Sequence, residues 1–156
     1  MTTLVEWPAI DEAALKGVAQ TFAPLLGQGG VVLLEGDLGA GKTTFARALL
    51  MAIGVGERIK SPTYSLLESY RVDDLQAHHL DLYRIADADE LEWLGLPDLV
   101  DSNSLMLIEW PERGTGALPP ADLGFRFEHA GERRNVSVSA YSARGRQWLR
   151  AQFPHQ

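Results

Sequence analysis

The 156-residue sequence contains no cysteine, which excludes a disulfide framework and a thiolate metal site. Basic residues are also scarce: 14 Lys and Arg stand against 21 Asp and Glu, a formal net charge of −7. A chain that gripped nucleic acid by itself would carry a basic stripe to displace phosphate counterions. The densest basic cluster here is Arg133–Arg134, followed by Arg144, Arg146 and Arg150, and it reads as a solvated hairpin tip and helix face. Any nucleic acid is therefore expected to be held by a partner protein. Long apolar runs are missing too. Val31–Leu34 and Ala48–Ile53 fall far short of the ~20 residues a membrane span needs. Met1–Ile10 carries an acid and a proline rather than a basic stretch followed by an apolar one, so no secretory signal is expected. These absences point to the cytosol.

The apolar share of 46% and charged share of 22% lie in the ordinary globular range, so residues 1–156 are expected to form one domain without a long disordered stretch. Asp11 can cap a helix whose apolar positions, from Ala14 to Leu26, recur at helical spacing until Gly27. Val31–Glu35, short, β-branched and bounded by glycine, reads as a buried strand. Thr43–Ile53 reads as a helix stopped by Gly54. Ser65–Val72 and Ala77–Leu80 read as strands joined by a turn at Asp73-Asp74. Asp87 and Glu90 form a capping-box pattern at a short helix. Ser104–Trp110 reads as a strand halted by Pro111. Phe125 and Phe127, then Val136, Val138 and Ala140, alternate with polar residues around a Gly131-Glu132 turn, which predicts a hairpin. Ser142 caps a last helix to about Gln152. The whole reads as α/β, a P-loop-like mixed sheet flanked by helices, ending in a β-hairpin and a helix.

The chemistry concentrates in Gly36-Asp37-Leu38-Gly39-Ala40-Gly41-Lys42-Thr43, which fits G-x-x-x-x-G-K-[ST]. Glycines let successive backbone N–H groups converge on phosphate oxygens without Cβ clashes. Lys42 supplies a point charge to the β- and γ-phosphates, the Thr43 hydroxyl is a magnesium ligand, and the helix that begins there turns its positive dipole end toward the anion. Asp37 to Thr44 is accordingly the predicted nucleotide-binding segment. Such a site also needs an acid at the end of another buried strand to complete the metal's shell. Asp81, after Ala77–Leu80, and Glu109, after Leu105–Ile108, both qualify, because carboxylates at strand C-termini of an α/β sheet face its ligand crevice.

His78 and His79 are neighbours in a strand and so point to opposite faces, which rules out a two-histidine metal site and leaves a strand or pocket-lining role. Trp110 follows Glu109 with either a core or a nucleotide-side role open. Arg84 reads as an ion-pairing residue more readily than an arginine finger. The chain has no N-K-x-D guanine-reading segment and no D-x-x-G switch, which excludes a Ras-like GTPase. A small-metabolite kinase would need an arginine-bearing lid, for which Arg113 is the one candidate. An ATPase that drives a partner protein's cycle fits the acidic balance better, with the kinase as the alternative.

Lys60-Ser61-Pro62-Thr63-Tyr64, His79-Leu80-Asp81-Leu82-Tyr83-Arg84, Leu94-Gly95-Leu96 and Ile108-Glu109-Trp110-Pro111-Glu112 follow the glycine-rich loop in order. Together with that loop they resemble the bacterial TsaE family, the ATPase of tRNA threonylcarbamoyladenosine biosynthesis, over about Gly30 to Pro120. The resemblance implies an ATP- and Mg²⁺-dependent enzyme that serves a heterodimer of TsaB and TsaD, which meets tRNA only through those partners and is not itself the transferase. It further implies that Lys42 contacts phosphates, that Thr43 and Glu109 hold the metal, that Asp81 orients water beside them, and that Ser61, Pro62, Thr63 and Tyr64 form a switch-like loop. Members often carry Glu-Thr in the first helix, where this chain has Glu12-Ala13.

Overall fold

The computed structural model describes residues 4–155. The first element is one the sequence reading leaves unassigned: Leu4–Ile10 is a strand, β1. Pro8 interrupts its pattern, and the strand tolerates the proline because it lies at the sheet edge, where the register shifts between Trp7 and Ile10 and Ala9 takes φ 49°. Helix α1 (Glu12–Leu26) starts where Asp11 accepts the Ala14 N–H at 2.9 Å. It buries Leu15, Val18, Ala19, Phe22 and Leu26, the stripe its spacing predicts. Strand β2 (Gly30–Gly36) feeds the glycine-rich loop, and α2 (Lys42–Ile53) leaves it.

Strands β3 (Leu67–Val72) and β4 (Leu75–Asp81) form a hairpin turning at Asp73-Asp74, with Asp73 at φ 53°. The expected start of β3 at Ser65 is corrected to Leu67. Leu66 adopts φ 68° and its N–H bonds Pro62 O at 2.9 Å, so the chain is still turning there. A 3₁₀ helix over Ala88–Leu94 follows, with Asp87 accepting the Asp89 N–H at 2.9 Å. Glu90 reaches back to Ala86 N–H rather than to Asp87, a capping box displaced by one residue. After the short helix α3 (Leu96–Leu99), β5 (Ser104–Glu109) ends one residue earlier than expected, because Trp110 takes φ 58° and turns the chain into a 3₁₀ helix, Pro111–Gly114. Strands β6 (Leu123–Ala130) and β7 (Arg133–Ala140) make the expected hairpin, and α4 (Ala143–Gln152) is capped by Ser142.

The sheet runs β1-β7-β6-β2-β5-β4-β3. Strands β6, β2, β5 and β4 are mutually parallel, and the outer pairings are antiparallel. This is the mixed α/β sheet that the sequence predicts. Alternation along β2 sends Val32 and Leu34 into the core shared with α1, α2 and α4, and Val31 and Leu33 into a second core with Leu80, Leu91, Leu96, Met106 and Ile108. In the first core Phe45 of α2 packs against Phe125 at 4.6 Å and Phe127 at 5.5 Å, and Phe22 of α1 meets Phe125 at 5.0 Å. These rings fix the start of α2 over the C-terminal end of β2. No helix among the described residues is long and apolar enough to cross a membrane.

Candidate functional site

The loop after β2 is shaped by close approach of backbone to backbone. At Gly36, φ is 141° and a Cβ would lie 2.0 Å from the Phe127 carbonyl oxygen, so only glycine lets the chain leave the sheet there. At Gly41, φ is 117° and a Cβ would press on Leu15 of α1 at 2.8 Å. The loop is pinned to β6 by Asp37 N–H donating to Phe127 O and by a 2.9 Å bond between His129 Nε2 and Leu38 O. Leu38 is exposed and Ala40 fully buried, so of the predicted nucleotide-binding segment Leu38 turns outward. Gly39, Gly41, Lys42, Thr43 and Thr44 line a cleft of about 200 Å³ with Glu12 and Arg134. A second cleft of about 480 Å³ between α1 and α2 shares Glu12, Thr43 and Thr44 with it. A cavity of about 610 Å³ lies elsewhere, between Pro24, Gln28, Asp73 and Asn103, and includes none of the candidate site residues.

Register brings the acids together. Glu109 ends β5 opposite Leu34 of β2 on one side and opposite Asp81 of β4 on the other. Thr43, on the first turn of α2, donates its hydroxyl to Glu109 Oε1 at 2.9 Å. Glu109 Oε2 lies 2.6 Å from His79 Nε2, and both side chains are 2% exposed. Asp81 is buried and accepts the Tyr83 N–H at 3.0 Å. Burial lifts the Asp81 carboxyl above its ordinary range; the Tyr83 hydrogen bond opposes that rise, and the nearby charge of Glu109 adds to it.

Lys42 is buried as well, with Nζ held by the loop's own carbonyls at Gly36, 2.5 Å, and Asp37, 3.0 Å. Its ammonium also sits 4.0 Å from the centre of the Trp110 ring. Burial pushes its pKa below the usual lysine value against the pull of Glu109, Glu112, Asp81 and Asp37. Trp110 thereby gains a definite place on the Lys42 side of the site, with its ring tilted 45° against Tyr83 at 4.9 Å. Arg113 stacks over Tyr83 at 5.2 Å, in the 3₁₀ helix after Trp110.

The segment Ser61–Tyr64 is not drawn into this cluster. Ser61 and Thr63 bond each other at 2.7 Å, and Tyr64, 83% exposed, carries Arg84 over its ring at 4.7 Å. Arg84 thus makes an aromatic contact in place of the ion pair expected of it. The segment's link to the site runs through the backbone, where Asp81 N–H donates to Leu66 O at 3.0 Å.

Two residues emerge that the sequence reading did not place among the site residues. His79 shares a strand face with Asp81, a parity that sequence alternation already contains. Arg134, read as part of a solvated tip, shares the inward face of β7 with Val136 and Val138; its Nε is buried without a partner and it lines the smaller cleft. The same alternation signals it.

Comparison with known proteins bears on the family of the chain. The profile described as "Threonylcarbamoyl adenosine biosynthesis protein TsaE" matches residues 9–136. A Haemophilus influenzae protein named tRNA threonylcarbamoyladenosine biosynthesis protein TsaE is 39% identical over 146 residues, 90% of this chain and 92% of that one. A Bacillus subtilis protein of the same name is 32% identical over 141 residues, 90% and 88% of the two chains. The crystal structure of Bacillus subtilis YdiB superposes with a TM-score of 0.76 at 26% identity, covering 99% of this chain and 97% of that one. The resemblance read from the motifs is thereby established over most of the sequence: the chain belongs to the TsaE family.

Proposed function

We propose that this chain is a magnesium-dependent ATPase of the cytosol that supports formation of threonylcarbamoyladenosine next to the anticodon of tRNA. In this reading it acts on a TsaB–TsaD-type heterodimer and leaves both the transfer step and tRNA binding to those partners. The observation that carries the proposal is the 2.9 Å bond between Thr43 and Glu109. It joins the hydroxyl at the start of α2 to the acid ending the neighbouring parallel strand, which is the pair of oxygen donors a P-loop site uses for magnesium. The donor set suits that ion. Both are hard oxygens, and among the described residues no cluster of three or more His, Asp or Glu side chains forms a cage. Magnesium ordinarily takes one or two protein ligands and completes its octahedron with phosphate and water. When bound it would supply Lewis-acid neutralisation of phosphate charge.

The chain's own groups divide the remaining work. Loop N–H groups between Asp37 and Thr44 and the start of α2 receive phosphate oxygens. Lys42, buried among carbonyls and acids, gains in a polyphosphate the counter-charge that its surroundings only partly supply. Asp81, with its carboxyl raised by burial, is a stronger base than a free carboxylate and stands beside Glu109 to orient and deprotonate the attacking water. Arg84 and Arg113 are both engaged with aromatic rings, which supports slow hydrolysis by the chain alone and an arginine supplied in trans. Arg113's anchorage over Tyr83 also disfavours the lid that a kinase would need. A net charge of −7 suits a protein whose partners hold the tRNA.

The test is ATP hydrolysis by the purified chain, alone and with the TsaB–TsaD pair. Stimulation by the pair that disappears in Glu109→Ala is the expected result. Absence of both binding and stimulation would favour the kinase alternative.

A further inference from the structure

We propose that His79 is the positioning residue for Glu109, holding one carboxylate oxygen so that the other faces Thr43 and the metal side of the cleft. The proposal rests on the reading of Glu109 as a magnesium-side carboxylate. His79 lies on β4 opposite Leu107, one pleat below the Asp81–Glu109 pair, and on the same face as Asp81. From there its Nε2 reaches Glu109 Oε2 at 2.6 Å with both groups out of solvent. In the reading of Glu109 as a metal-side carboxylate its oxygens accept, which assigns the donor role to Nε2.

The terminal torsion of a glutamate is broad and gives its carboxylate little orientation of its own. Here the two oxygens have separate partners, Oε2 with His79 and Oε1 with Thr43. Removing the first bond frees the plane to rotate and leaves the second as the sole restraint. Histidine is otherwise a poor occupant of this position. Its Nδ1 is buried with no hydrogen-bond partner among the described residues, a desolvation cost that an apolar side chain would avoid. Among the described residues the ring's one hydrogen bond is with Glu109.

The neighbouring His78 is a built-in control. It is equally buried on the same strand and likewise has one bonded and one unpartnered nitrogen, but its bond goes to Ser69 of β3 at 2.7 Å, on the opposite face. Groups that orient metal ligands typically govern about ten- to hundred-fold in metal affinity.

The experiment uses the full chain with ADP and Mn²⁺ as a magnesium stand-in, titrated by electron paramagnetic resonance, with metal-free ADP affinity and melting temperature measured in parallel. His79→Leu is expected to weaken Mn²⁺ about ten- to hundred-fold while metal-free ADP affinity stays unchanged. His79→Gln, whose amide nitrogen reaches as far as Nε2, restores most of the affinity, and His79→Asn, one carbon shorter, does not. His78→Leu leaves Mn²⁺ affinity at the wild-type value. If His79→Leu does not fold, the Gln and Asn variants carry the comparison, and equal affinity in those two overturns the inference. Unchanged Mn²⁺ affinity in His79→Leu overturns it as well, as does a parallel loss of metal-free ADP binding. Failure of the underlying reading looks different, since Mn²⁺ affinity would then be unaffected by Glu109→Ala.

Discussion

The Lys42 ammonium lies 4.0 Å from the centre of the Trp110 ring, on the side of the loop where it also bonds the Gly36 and Asp37 carbonyls. The lysine is buried, and burial lowers its pKa against the pull of the nearby acids. Lys42→Ala is expected to lower ATP affinity by about 1.5–3 kcal/mol, roughly ten- to hundred-fold, while the ligand-free protein loses no thermal stability. Calorimetric titration and a melting curve on the same sample check both halves. Wild-type affinity in the variant would rule out the phosphate role.

The same pairing predicts an optical signal. A phosphate that draws Nζ off the loop carbonyls also draws it from the indole face, so Trp110 emission should change on adding ATP. Trp110→Phe should lose that change, leaving Trp7, Trp93 and Trp148 as a constant background. A response that persists in Trp110→Phe would place the reporting ring elsewhere.

Asp81 carries a stability cost that follows from its raised pKa. Because the folded carboxyl holds its proton more tightly than the unfolded one, the favourable contribution is fully present below the ordinary aspartate value of about 4. It is lost as pH rises through the folded pKa. Asp81→Asn, neutral at all pH, should therefore melt higher than wild type by an amount that grows between acid and neutral pH. At neutrality the gain should be about 0.5–2 kcal/mol, together with loss of partner-stimulated hydrolysis. A gain that is the same at every pH would contradict the assignment of the cost to the buried charge.

Asp122 behaves in the opposite sense. Burial alone would raise its pKa, but bonds from Ser142 at 2.6 Å, from Arg144 at 3.0 Å and from the Val31 N–H at 2.9 Å outweigh that and hold it low. It ties the start of β2 to α4. Its contribution is present above the ordinary carboxyl range and lost as pH falls through the depressed folded value. Asp122→Ala is expected to destabilise by about 2–4 kcal/mol at neutral pH, since it leaves a buried N–H and a hydroxyl unpaired. The difference from wild type in denaturant melts should shrink toward low pH.

How much of this was legible varies with the kind of signal. Strand β2, the β6–β7 hairpin and the caps at Asp11 and Ser142 rest on local rules, and they form as read. Strand β1 was hidden by Pro8, which local rules count against a strand and only an edge position forgives. Trp110 could not be placed because its φ of 58° reverses the chain, and no propensity predicts that for a tryptophan. His79 and Arg134 were legible in principle, since alternation puts one with Asp81 and the other with Val136. Their contacts depend on which strands become neighbours, and that order follows from long-range packing.

The pairing of β1 with β7 joins Leu4 to Ser139 and Trp7 to Val136, almost the full length of the chain apart. During synthesis the first strand emerges long before its partner, and β2 must likewise wait for both β5 and β6. The central sheet therefore cannot assemble in the order in which it is translated. Loops of this span close slowly, and the exposed strands are open to wrong partners meanwhile. The nascent chain is thus expected to lean on the ribosome surface or on chaperones until β7 is released, and a stall before residue 133 leaves the edge strand with nothing to pair against.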